Sequence, residues 1–473
     1  MKELERLIER IINRVNINLR KPAFDVRPFL RGIISPQQFG KFYAFYGLTP
    51  HHPLFFRFNH SSLAGSYFLG KCIVDYSVLY KSDIRGDELK KKGTTHRFQD
   101  LDIPLHDDEV IHIQDSFLLK TLVHSFSHDP ENLEEFLIRN TIALHYANIH
   151  GAPVAGCFLA PFSTVDLTSL HNCVIGPMAY VQVGELSHQK IEAGKIWIQK
   201  GDLFDFRYTF PREELKNYIN LQPGQAPQGI LMDFMESGKS DFQKVFDGIP
   251  PQSSVKVPRE TALNPFAVIK GQTSIGKNCL VAQRAYLENA FLGPGANAQE
   301  NCFIIDAHLE GNNVTAHGGK IIQATLGKKA FVGFNAFLRG RKECLLKIGA
   351  ESIIMPHTII DLEEPLDIPP GSLVWGLVKN RRDLKRHSLP LESFFGIKKK
   401  FTQGNMIFQG KGAAFVLAFK NRIDHILAAN GAFFNGISKR GHAQKNQDII
   451  FNIIQPYSTG NLKGLYPFII IRP

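Results

Sequence analysis

The chain has 473 residues, 44% apolar and 21% charged, a globular balance that excludes a disordered polyelectrolyte. Lys and Arg outnumber Asp and Glu 55 to 44, a net charge of +11, which suits nucleic acid, an anionic surface or phosphate-bearing small molecules as partners. The cations are spread along the chain, with short clusters only at Lys90 to Lys92 and Lys398 to Lys400. No helix-turn-helix, RRM-like or zinc-finger pattern accompanies them, so nucleic acid is not expected. No apolar run is long enough to span a bilayer, and the N-terminus has no apolar leader, so a cytoplasmic protein without a membrane span is expected.

In chain order, Leu4, Leu7, Ile8, Ile11, Ile12 and Val15 fall at helical spacing, which predicts an amphipathic helix that Pro22 ends, inside a lead-in covering 1–59. From 60 to 190 runs an irregular ladder of aliphatics: Leu63, Leu69, Val74, Leu159, Val165, Leu170, Ile175 and Val181, with insertions at 86–110 and 125–136. Residues 191–262 leave the ladder as an α+β insertion. Ile196 to Ile198 and Phe204 to Phe210 alternate like strands, Pro211 to Leu215 opens a short helix, and Pro250 to Ser254 reads as a connector.

The strongest signal lies in 263–380. Aliphatics recur six apart, as in Ile275, Val281 and Leu287, and the leading residues Ile275, Leu292, Leu309 and Leu326 are each 17 apart. Three six-residue faces per turn, shortened by one residue at a corner, give that period. Small or tight-turning residues fall where the chain must bend, at Gly276, Gly293 and Gly327, with Glu310 the exception, and at Cys279, Ala296, Asn313 and Ala330. The fold class expected is mainly β, a parallel β-helix in two tracts. A helical reading fails, because a period of 17 carries no helical phase. The six cysteines all lie in aliphatic segments without a CxxC pair, as small core residues do, and 37 Phe against 2 Trp imply a core of Phe and aliphatics. Residues 381–473 form an α+β extension with a helix over 413–430 and a strand-like run at Phe468 to Ile471.

These hexads resemble the hexapeptide-repeat superfamily, which contains acyltransferases and γ-class carbonic anhydrases. The resemblance implies a left-handed coil, a homotrimer and a small-molecule substrate. The first tract is similar to the γ-carbonic-anhydrase branch through Arg85-Gly86-Asp87, Gln114-Asp115, His124, and His145 followed by His150-Gly151. It implies His124, His145 and His150 as ligands of Zn or Fe, Arg85 and Asp87 as an interface ion pair, and Gln114 as the residue that orients the attacking water. Lys120 stands nearer the family's first ligand position than His124 does, and His128 is a substitute ligand.

The alternative that the resemblance carries is an acyltransferase using a coenzyme A thioester. His317 or His308 would be its general base, oriented by Asp306 or Glu310, with Gly318 and Gly319 admitting the ligand and Arg339, Arg341 and Lys342 holding the coenzyme A phosphates. A third expectation is a non-catalytic trimeric scaffold that keeps the coil without the site.

Overall fold

The structure, a computed structural model, describes residues 2–30, 33, 43–98, 100–125, 132–250, 255–455 and 465–472. His128 and residues 251–254 of the expected connector lie outside them. The chain divides into two compact units, Met1–Lys195 with Pro211–Ser237 and Ile449–Pro473, and Ile196–Phe210 with Gly238–Asp448. Each unit is built around a left-handed parallel β-helix of short strands in three sheets. Neither the insertion nor the extension is a body of its own, since each is shared between the two units.

In the first unit the ladder becomes regular from Ile142 onward. Ile142, Phe158, Val174 and Lys190 pair in register, each 16 residues after the last. Buried serine, threonine and cysteine side chains line one internal corner and carry its hydrogen bonds. The backbone N–H of Ser77 donates to Ser61 Oγ at 3.0 Å, that of Ser116 to Ser77 Oγ at 3.1 Å, and that of Thr141 to Ser116 Oγ at 3.2 Å. The N–H of Cys157 then donates to Thr141 Oγ1, and the N–H of Cys173 to Cys157 Sγ at 3.3 Å. The N–H of Gln189 donates in turn to Cys173 Sγ at 3.5 Å, so both cysteines are acceptors in a rung-to-rung ladder as well as core volume.

The amphipathic helix forms as Lys2–Asn18. Its stripe of Leu4, Leu7, Ile11, Ile12 and Val15 is buried against Val78, Phe117, Ile142, Phe158 and Val174 on one outer sheet face. Each such side chain contributes about 1.5–3 kcal/mol of burial. The tail that had no role in the sequence pairs with the first coil. Ile450–Ile454 and Ile469–Ile471 run antiparallel to Ala44–Leu48 and Phe56–Asn59.

The second unit follows the period of 17, with Leu280, Asn297, Val314 and Phe331 in register. The inward residues Ile275, Leu292, Leu309, Leu326, Val281, Val332, Leu287, Ile304, Ile321 and Leu338 form one buried core. The next rung is longer, since Phe331 pairs with Ile353; the extra length is the loop around Arg341, which bridges to Cys344. Ser388–Pro390 folds back antiparallel on Ser372–Val374, which ends the ladder on that sheet. Phe204–Thr209, Met406–Gly410 and Lys400–Gln403 make an antiparallel three-stranded sheet. Helix Gly412–Ala429 lies where expected and sets Phe419 against Phe331 of the coil, 6.4 Å between ring centres. No described helix is long and apolar enough to cross a membrane.

Candidate functional site

Two polar groupings stand out, one in each coil. In the first unit, the inward residues Ile84, Val123, Ile149 and Val165 alternate with residues on the opposite sheet face. Register therefore stacks Arg85, His124, His150 and Asp166 at the ends of four successive strands. Arg85 holds Asp87 through two guanidinium nitrogens, Nε to Oδ1 at 3.2 Å and Nη2 to Oδ2. His124 Nε2 lies 3.4 Å from Asp87 Oδ1, and the rings of His124 and His150 meet edge to face with centres 5.0 Å apart. His150 Nδ1 is hydrogen-bonded to Asp166 Oδ1 at 2.8 Å, and Tyr180 donates a short bond to the other oxygen of Asp166. All of these groups except His150 are less than a tenth exposed, so the face carries a continuous buried polar chain.

The structure thus brings His124 and His150 together, with Arg85 and Asp87 beside them. His145 stands elsewhere, at the corner between strands Ile142–Ala143 and Asn148–His150, with Lys120 and Tyr146 as neighbours. Burial, with Lys120 adding to it, depresses the His145 pKa to about 3, so its imidazole is neutral. Burial works against the Lys120 ammonium, yet Tyr146, 3.2 Å away through its hydroxyl, and Glu236 raise its pKa overall. Gln114 is in register with Asp75 and Arg139 on a different sheet from the two histidines.

In the second unit the grouping sits on a corner. Gln283, Glu300, His317 and Phe334 are each 17 residues apart and all buried. His317 Nδ1 lies 2.7 Å from Glu300 Oε2, with His317 3% and Glu300 2% exposed. The His317 ring packs on Phe334 at 5.3 Å, and the Arg422 guanidinium, from helix Gly412–Ala429, lies over the same Phe334 ring at 5.7 Å. Lys320, fully buried, donates from Nζ to Gly318 O at 2.5 Å, which folds its amine back on this corner. Burial lowers the Lys320 pKa to about 7.

Gly318 has φ +71°, and a Cβ there would lie 2.3 Å from Asn335 Oδ1, so at this turn a side chain would crowd the Asn335 amide that the neighbouring turn sets against it. Glu300 was missed in the sequence, although one coil period upstream of His317 is where a stacked partner must lie. The other candidates are placed apart from this pair. His308 is exposed and stacks flat on Phe291 at 4.3 Å. Asp306 accepts from Asn289 Nδ2, and Glu310 accepts from the backbone N–H of Lys328. Arg339 makes a two-pronged contact with Asp361 at 2.8 and 2.6 Å, Arg341 reaches the same carboxylate at 3.2 Å, and Lys342 is exposed. One carboxylate thus partly neutralises the cations expected to meet phosphate.

Residues 101–223 match the family described as hexapeptide repeat including loop. The bifunctional protein GlmU of Alkaliphilus metalliredigens is 30% identical over 96 residues, which is 19% of this chain and 17% of that protein's length. The chain therefore spans less than a fifth of that relative. A crystal structure from Desulfovibrio desulfuricans G20, of a protein described as a candidate acetyltransferase, is 53% identical. It superposes with a TM-score of 0.93 over 100% of this chain and 99% of that one.

Proposed function

We propose, from the premise that the chain belongs to the hexapeptide-repeat superfamily, that it is an acyltransferase whose general base is His317. The observation that carries this reading is the buried contact of His317 Nδ1 with Glu300 Oε2 at 2.7 Å, one coil apart. A carboxylate at Nδ1 favours the tautomer with its proton there and puts the basic lone pair on Nε2. Nε2 takes the proton of an acceptor hydroxyl or amine as that atom attacks the thioester carbonyl of an acyl-coenzyme A. The C–S bond then breaks, and the coenzyme A thiolate recovers the proton from the imidazolium, which Glu300 stabilises while it exists. The description of the Desulfovibrio protein as a candidate acetyltransferase supports the same reading, and a homotrimer is the assembly that accompanies it.

The test is release of coenzyme A thiol from acetyl-coenzyme A in the presence of amine and hydroxyl acceptors. Turnover is expected in the unmodified protein, with His317→Ala reducing it about 10²- to 10⁴-fold. Unchanged turnover in that variant refutes the assignment.

A second reading has its own observation, the His124 and His150 pair. Each imidazole has a carboxylate near one nitrogen, Asp87 or Asp166, the arrangement that fixes tautomer and orientation in metal-binding histidines. The donor set suits Zn or Fe and provides two of the three protein ligands that a catalytic zinc takes. A bound ion would supply Lewis-acid chemistry there. Elemental analysis decides it: about one ion per chain is expected, falling below about a tenth in His124→Ala and His150→Ala, because loss of one ligand in so small a set removes most of the affinity. Metal at that low level before any substitution removes the reading. Absence of both turnover and metal leaves the scaffold.

A further inference from the structure

The two sites above use little of the chain's excess positive charge. Much of that excess is concentrated after the second coil. Residues 381–400 contain seven Lys or Arg against two acids, Asp383 and Glu392, a net +5 of the chain's +11. The seven are Arg381, Arg382, Lys385, Arg386, Lys398, Lys399 and Lys400, and every one is exposed. Asp383 is half-buried, and its carboxylate accepts from the backbone N–H of Lys379 just before its helix.

The fold gathers these cations around a hairpin. Gln403, on strand Lys400–Gln403, donates to the backbone oxygens of Lys385 and Ser388 at 2.9 and 3.1 Å, which ties the hairpin to the end of helix Arg381–His387. Register places Thr402 opposite Ile407 and Lys400 opposite Gln409, so Lys400 and Ile407 are diagonal neighbours on the hairpin's outer face. Arg207 is in register with Ile407 from the other side, its guanidinium held by both oxygens of Asp205. Ile407 is 47% exposed, and Phe395, three residues before Lys398, is also 47% exposed. These two exposed apolar side chains stand close in sequence or register to Lys398 and Lys400, so the surface offers apolar contact beside its positive charge.

We propose that this hairpin and helix form a docking surface for an anionic phospholipid membrane. The lysines and arginines would meet phosphate headgroups, while Phe395 and Ile407 would enter the headgroup–acyl boundary, as the two-part chemistry of peripheral membrane contacts requires. Nucleic acid would use the cations and leave Ile407 without a role.

The test is co-sedimentation of the full chain with phosphatidylcholine vesicles, with and without phosphatidylglycerol, at about 0.1 M salt, where the screening length is about 10 Å. Retention is expected only with the anionic lipid. Lys398→Glu combined with Lys399→Glu and Lys400→Glu is expected to weaken it at least about tenfold. Phe395→Ser with Ile407→Ser is expected to abolish the part of binding that survives high salt. Unchanged circular dichroism and thiol-release activity in each variant show that the fold is intact. Equal retention on both vesicle types, retention insensitive to charge reversal, or binding of duplex DNA without binding of vesicles would each overturn the proposal.

Discussion

The two coils turn their corners differently, and the difference decides where each can hold chemistry. In the first, the left-handed positions of successive turns are Lys120, Tyr146, Phe162 and Met178, with φ between +47° and +61°. Tyr146 and Phe162 stack there at 5.1 Å. Bulky side chains fill that corner, and the polar chain from Arg85 to Tyr180 runs along a sheet face instead. In the second coil the corresponding series is Arg284, Asn301, Gly318 and Asn335. After Arg284 the series is glycine and asparagine, which bend the chain at low cost, and the neighbouring position carries Glu300 and His317. A period of 16 with filled corners favours a linear array on a strand face, whereas a period of 17 with a glycine at the bend supports a stacked pair at the corner.

Three substitutions sharpen that contrast. Gly318→Ala is expected to have the largest effect, about 2–4 kcal/mol of lost stability in denaturant unfolding. It places a Cβ 2.3 Å from Asn335 Oδ1 at a left-handed φ. A loss below about 0.5 kcal/mol would mean that the corner tolerates a side chain and that the comparison with Phe162 is void.

Lys320→Met comes next and has the opposite sign. The folded-state pKa of Lys320 is lowered from 10.5 to about 7. Between those values the unfolded chain binds a proton that the folded chain has shed, so stability from this group rises with pH. Methionine should therefore stabilise by about 1–3 kcal/mol at and below pH 7, with the gain fading toward pH 10.5. A gain independent of pH would remove the buried ammonium as its cause.

The smallest effect is expected at Cys157. Valine removes the acceptor of the Cys173 N–H and should cost about 1–2 kcal/mol, while serine, which keeps an acceptor, should cost less. Equal losses would make the cysteine simple core volume.

The second coil was legible in the sequence because its inward residues repeat without interruption. Ile275, Leu292, Leu309 and Leu326 are all less than a tenth exposed, and hydrophobic spacing is the information a single sequence carries best. The regular 16-residue register of Ile142, Phe158 and Val174 was hidden by the insertions before it. Those same insertions made the histidines misleading. His145 and His150 are close in sequence, but one stands at a corner and the other at a strand end, so their side chains diverge. The true neighbour of His150 is His124, aligned by strand pairing across an insertion. Glu300 lies one coil period of 17 before His317, so the spacing that marks the aliphatic ladder marks this polar pair as well. The tail strands Ile450–Ile454 and Ile469–Ile471 could not be assigned, because pairing with residues some 400 positions earlier leaves no local trace.

The most direct test of acyl transfer at His317 follows the label from acetyl-coenzyme A carrying a radioactive acetyl group in a single turnover. The label is expected to pass to a small acceptor, with no acetyl group left covalently on the protein and with the passage stopped in His317→Ala. Label recovered on the protein as an acyl-enzyme, or passage undiminished in His317→Ala, would contradict it.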